Sequence, residues 1–245
     1  MQRVREPAIA HRPSVLLRRV FTLSGVIPLG AFLLVHVVSN ARVLAGDDAF
    51  LAAVRGYARV PGLAVFEALF VFAPLLFHAA FGLWLVVRGA PLQGASPYPP
   101  ALRTAVRVTG VLAVAFLAMH LPELRFSEPP LRPSGAALLS VLDSHLSSMS
   151  HGLPLRAVAY LLGSACVCFH FAAGTWGAFA ATPRGERARS RRRAAWWSVA
   201  VGTILWLLYA DVVVYHATGA RLLGGTPHTD GTTAPCPEGS ASAAP

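Results

Sequence analysis

Long apolar runs, separated by short polar connections, make up most of this chain. A helix that crosses a bilayer needs about 20 mostly apolar residues. Five stretches meet that length, at roughly 20–41, 63–88, 103–121, 153–181 and 195–217. The connections are rich in turn formers and charge, as in "AGDDAF", "GAPLQGASPYPP" and "FSEPPLRPSG". In hydrocarbon every backbone polar group must be satisfied within its own segment, so such runs are read as helices. The pattern predicts an all-α integral membrane protein of five transmembrane helices forming a bundle. It divides into an N-terminal segment 1–18, a five-helix domain 19–218 and a tail 219–245, whose last residues, "GGTPHTDGTTAPCPEGSASAAP", have a disordered composition.

The first run, "LLRRVFTLSGVIPLGAFLLVHVVSN" at 16–40, raises a choice. "RRVFTLSG" resembles a twin-arginine export signal. An export signal's apolar region is about 7–15 residues long, and this one is longer. Four more spans follow it instead of an exported domain, so it is read as the first span.

Composition agrees with the membrane class. Of 245 residues, 55% are hydrophobic and 13% charged, where a soluble domain has about 25% charged. The net charge is +10, carried by 21 arginines and no lysine. The arginines flank apolar runs and do not line a polar face, which excludes nucleic acid as a partner. Five arginines precede residue 20, three lie in 88–107 and six in 184–193; the 42–59 and 125–156 connections have three each and the tail one. The positive-inside rule then predicts a cytoplasmic N-terminus and a C-terminus outside, as an odd number of spans requires. Cys166 and Cys168 lie in an apolar run and Cys236 in the tail, with no disulfide framework.

Of nine histidines, His11, His145, His151 and His228 fall in connections or tails, and His216 at the outer end of the fifth run; these read as solvated or interfacial. His36, His78, His120 and His170 occupy the first four spans, one each. An ionisable group at membrane depth is costly and is a functional hypothesis by default; the plain alternative is a hydrogen bond between helices. His36 is seventeen residues past Arg19 and His120 seventeen past Arg103, which puts both about 25 Å from the inner edge. His78 is ten residues before Arg88 and His170 fourteen before Arg184, about 15–20 Å from that edge. The four sort into an outer pair and an inner pair. Two facing histidines are an axial ligand set for haem iron. Zinc prefers four ligands, often thiolate or carboxylate. Glycines at helical spacing, Gly82 from His78, Gly163, Gly174 and Gly177 from His170, and Gly25 from His36, leave room for a flat macrocycle.

With these residues in place, "RRVFTLSGVIPLGAFLLVHVVSN", "FEALFVFAPLLFHAAFGLW", "RVTGVLAVAFLAMHLPELRF" and "GLPLRAVAYLLGSACVCFHFAAGTWGA" resemble the haem-bearing helices of succinate dehydrogenase cytochrome b subunits of the five-helix, di-haem type, related to those of quinol:fumarate reductases. The resemblance covers about residues 16–217. It implies a haem-binding bundle with two haems b, a distal one on His36 and His120 and a proximal one on His78 and His170. It further implies a bacterial inner membrane location, flavoprotein and iron–sulfur partner subunits, and a quinone (menaquinone or ubiquinone) as electron acceptor. The direction, succinate oxidation or fumarate reduction, stays open. Two other readings remain: a histidine-lined membrane transporter, with Pro28 and Pro74 as helix interruptions, and a b-type cytochrome serving a hydrogenase or formate dehydrogenase.

Quinone reduction consumes protons, so a titratable group is expected near the quinone. Glu67, eleven residues before His78 and near the outer edge, and Asp211, in the outer half of the fifth span, are the candidates. Glu67 also reads as a carboxylate favoured at a helix start, and Asp211 as a side chain snorkelling to water. Arg18, Arg19, Ser24 and Arg103 are weaker candidates for an inner site. Arginines at the inner helix ends are candidates for haem propionates. The run "RGERARSRRR" at 184–193 fits lipid phosphates, or an acidic docking surface on a partner.

Overall fold

The computed structural model describes residues 15–89, 98–127 and 135–223. Expectations about His11, His228, Cys236 and most of the tail fall outside them. Among the described residues the chain is helical throughout, with one isolated bridge between Ser150 and Leu153. Five helical stretches are long and apolar enough to cross a membrane: Leu16–Ala45, Leu63–Val87, Pro100–Arg125, Leu155–Ala180 and Ala188–Thr218.

The first span is built from α1 (Val15–Val26) and α2 (Pro28–Asn40). Pro28 lacks an N–H, so one bond of the ladder is missing, yet Ile27 and Ala31 keep theirs and the axis continues. A short 3-10 turn (Ala41–Ala45) leads into α3 (Asp47–Ala58), which has Asp47 and Asp48 in its first turn, where the helix dipole favours them.

The second span joins α4 (Leu63–Glu67) to α5 (Ala73–Val87) through a π-helical turn, Ala68–Phe72. The third is α6 (Pro100–His120), continued by a second π turn, Leu121–Arg125. Each widened turn has a proline beside or within it, Pro74 and Pro122, which withholds the N–H that would close a normal α turn.

After α7 (Gly135–Leu146) come the fourth span, α8 (Leu155–Ala180), and the fifth, α9 (Ala188–Thr218). Gly219, at φ 73°, closes α9 in the left-handed conformation that glycine adopts without strain. Because α9 begins at Ala188, Arg189 and Arg191 to Arg193 lie on its first turns and not in a connection as their charge suggested.

Burial is uneven. At one end α3 and α7 fold over the bundle, and Val43, Phe50, Leu139, Leu142, Leu146, Ala157, Tyr160, Val212 and Val213 form a dry core. Within the bundle the buried core is small, centred on Val37, Cys168 and Leu205. Elsewhere the spans turn apolar side chains outward, Leu76 at 73% exposure and Val87 at 84%. Such a surface is stable only against lipid.

Candidate functional site

The four span histidines meet two by two. His36 and His120 have ring centroids 6.0 Å apart at an interplanar angle of 81°. His78 and His170 are 6.2 Å apart at 82°. Among the described residues no three His, Cys, Asp or Glu side chains gather into a metal-holding group.

The inner pair is held by main chain. His78 Nδ1 lies 3.0 Å from the Phe21 carbonyl and His170 Nδ1 3.0 Å from the Val106 carbonyl. A carbonyl only accepts, so each Nδ1 carries the proton and each Nε2 keeps its lone pair. This is the arrangement that orients a metal-bound imidazole. Both carbonyls sit one turn before a glycine on the neighbouring helix. A Cβ at Gly25 would lie 2.5 Å from His78 Cε1, and one at Gly110 2.8 Å from His170 Cε1. The two imidazoles therefore occupy equivalent notches, one on α1 and one on α6. Ser24 Oγ adds a contact of 3.3 Å to His78 Nδ1, and Phe21 stacks on the ring at 4.4 Å. A cleft of about 120 Å³ adjoins the pair, lined also by Gly82, Arg107, Val111 and Val114.

The outer pair is held by side chains. Each ring stacks on the phenylalanine one turn earlier in its own helix, His36 on Phe32 at 5.2 Å and His120 on Phe116 at 5.4 Å. Phe116 in turn packs where a Cβ on Gly163 would fall. Asn40 Nδ2 donates to the His36 carbonyl at 2.8 Å and lies 3.3 Å from His36 Nδ1. His120 Nδ1 is buried without a hydrogen-bond partner among the described residues. Tyr160 sets its ring against both Phe116 and His120.

Several glycines serve other ends than expected. Gly82 lines the inner cleft as its spacing from His78 suggested. Gly25, spaced from His36, seats His78 instead. Gly177 receives the Tyr98 hydroxyl, and Gly174 faces open space. Gly110 was missed. The signal was there: "LSGV" at 23–26 and "VTGV" at 108–111 are near repeats, each followed by a histidine about three turns later. Tyr98 donates to the Ala173 carbonyl at 3.0 Å, and burial pushes its phenol up to about 12.

Beyond the outer pair lies a polar layer of which sequence reading anticipated only Glu67. Glu123, inside the second π turn, accepts from Arg156 and from Tyr160, the latter at 2.9 Å. Arg156 also approaches His145 Nδ1 at 3.3 Å. Glu67 is buried at the edge of the first π turn and pairs with Arg125 at 3.0 Å. The Arg125 guanidinium lies over Phe72 and Phe126. Glu67 is the fifth residue of a span that starts at Leu63, past the first turn in which the helix dipole favours a carboxylate. Asp211 is 2% exposed and its Oδ1 accepts the Leu222 N–H at 2.6 Å; it fastens the chain after α9 and does not snorkel. His216, expected at an interface, is buried beside Asp143 at 2.7 Å, because α7 folds over the end of α9.

No family model matches the chain, and no solved structure matches it. It is similar to the succinate dehydrogenase cytochrome b558 subunit of Bacillus subtilis (strain 168), 31% identical over 178 residues, which cover 69% of this chain and 83% of that protein.

Proposed function

The chain belongs to the succinate dehydrogenase cytochrome b subunit family, and from this premise we propose that it holds two haems b and carries electrons from an iron–sulfur subunit to a membrane quinone. Its partners in this reading are that iron–sulfur subunit and a succinate-oxidising flavoprotein. The N-terminus is cytoplasmic and the C-terminus outside, as the arginine distribution suggests.

The observation that carries the reading is the meeting of the histidines in two pairs, His36 with His120 and His78 with His170. An imidazole–metal–imidazole axis, with metal–nitrogen bonds of about 2 Å, separates ring centroids by about 6 Å, and both pairs have that spacing. The donor set fits as well: two imidazoles per site, and among the described residues no third His, Cys, Asp or Glu joins either pair as a ligand group. When bound, each haem supplies a one-electron carrier whose behaviour is set by ligands, burial and hydrogen bonds.

The residues of this chain do the rest. Phe21 and Val106 carbonyls hold the protons on His78 and His170 and leave each Nε2 lone pair free, so these two imidazoles would hold the inner haem. Arg107, lining the inner cleft, is the cation for a propionate. Phe32 and Phe116 hold the outer rings by stacking on them. Glu67, buried and charge-paired with Arg125, is the proton relay for a quinone at the outer end. Asp211, engaged with Leu222, is not needed for that role.

A quantitative pyridine-haemochrome assay on the purified chain tests this. Two haems b per chain are expected, with H36A and H120A removing one and H78A and H170A the other. A chain without haem, or with haem indifferent to these changes, overturns the reading.

A further inference from the structure

We propose that the arginine-rich end of the bundle binds an anionic phospholipid, with one acyl chain in a cavity between the third, fourth and fifth spans and its phosphate on Arg191 and Arg192. This inference uses none of the haem-ligand residues and goes beyond the electron-transfer role.

The cavity measures about 570 Å³. Its walls are largely apolar, among them Leu102, Phe169, Ala172, Val199 and Trp206, with Ser198 and Thr203 the two hydroxyl side chains. The two indoles that reach it are already engaged: Trp176 Nε1 donates to the Arg191 carbonyl at 3.3 Å and Trp206 Nε1 to the Leu161 carbonyl at 3.2 Å. Among the described residues no carboxylate, histidine or arginine lines it. Such a pocket has little to offer a redox headgroup and much to offer a hydrocarbon chain.

Length and charge identify the chain. Along α9 the lining runs from Ala195 to Trp206, which at 1.5 Å per residue is about 16 Å. One leaflet's hydrocarbon is about 15 Å deep, so the cavity is one acyl chain long. One turn before Ala195 on the same face come Arg191 and Arg192, both exposed and with no ion pair among the described residues. Trp196 and Trp197 flank them at 67% and 73% exposure, as aromatic side chains do at headgroup depth. Cations above an apolar slot between spans are complementary to a phosphate carrying a fatty chain.

The complex, purified in mild detergent and stripped of loosely held lipid, is titrated with phosphatidylglycerol or phosphatidylcholine of equal chain length, and bound lipid is counted by native mass spectrometry. Wild type should retain phosphatidylglycerol in clear preference. R191Q/R192Q should weaken retention about thirtyfold, and A195W, which fills the mouth, should abolish it. Equal retention of the two lipids, or retention unchanged in R191Q/R192Q, overturns the proposal. So does loss of the soluble subunits from R191Q/R192Q with lipid intact, which would make the arginines a docking surface. Recovery of a quinone that A195W alone displaces would assign the cavity to a quinone tail. If A195W does not fold, the arginine variant, altered only at exposed positions, decides the matter.

Discussion

The two histidine pairs have nearly equal separations and are held by different kinds of contact, main-chain carbonyls at one and aromatic rings at the other. His78 and His170 are fixed from outside their own helices, each by a glycine notch and a main-chain carbonyl on a neighbour. His36 and His120 each stack on a phenylalanine of their own helix, Phe32 and Phe116, with Tyr209 and Tyr160 of neighbouring helices against their rings. Beside the inner pair lie apolar side chains with Ser24 and Arg107, and no carboxylate among the described residues lines its cleft. Behind the outer pair lie Glu67, Glu123, Arg125, Arg156 and Tyr160. An inner site whose cleft holds no carboxylate among the described residues suits, in the proposed reading, a carrier that only passes electrons. An outer site backed by carboxylates suits one that must also meet protons. In the proposed reading, this difference is what separates the tasks of the two sites.

The largest effects should come from the notches. G25A and G110A each place a methyl group against an imidazole, at 2.5 and 2.8 Å from Cε1. Helix backbone cannot yield as a flexible side chain can, so either change should cost the inner haem while the outer one stays. Haem-to-protein ratios should fall from two toward one. Retention of both haems in both variants would mean that the notches do not position the ligands.

Next in size is the outer carboxylate. E67Q should lower quinone reduction by about a hundredfold, the usual scale for loss of a positioned proton carrier, with both haems still present. Normal quinone turnover in E67Q would erase the functional side of the comparison.

A smaller change is expected at Glu123, which accepts from Arg156 and Tyr160. E123Q leaves Arg156 with a weaker partner and should cost about 1–3 kcal/mol, visible as a lower unfolding midpoint with haem content unchanged. If E123Q instead releases the outer haem, the polar layer belongs to the ligand cage itself.

The smallest effect concerns the inner end. The Tyr98 phenol, raised to about 12 by burial, is neutral in the folded chain over a range where an unfolded tyrosine ionises. Its contribution is complete below about pH 10 and is lost as the pH rises toward 12. Y98F should flatten the alkaline fall in stability; an unchanged slope would show that Tyr98 is not its source.

Much of this was legible along the chain. The spans, the single histidine in each of four, and their sorting by depth follow from local quantities: apolar run length and a fixed rise per residue. The outer polar layer was half legible. Glu67 stood out as an acid in an apolar run. Glu123 did not, since "LPELRF" looks like an ordinary span end until a π turn turns its carboxylate toward Tyr160 and Arg156. His216 was misjudged for a similar reason. Nothing near it in sequence announces that α7, some seventy residues earlier, lies over it and supplies Asp143.

By itself, then, the sequence determined how many times the chain crosses the membrane and at what depth each histidine lies, because helix geometry converts residue number into distance without reference to any other helix. Only the tertiary structure decided what each histidine leans on. Gly25 is in register with His36 along one helix yet seats His78 across another, and Gly110 seats His170 although ten residues separate it from the histidine of its own span. Which helix faces which, and how far one is rotated and slid against the next, is set by side-chain packing between elements distant in sequence, and no local periodicity encodes it.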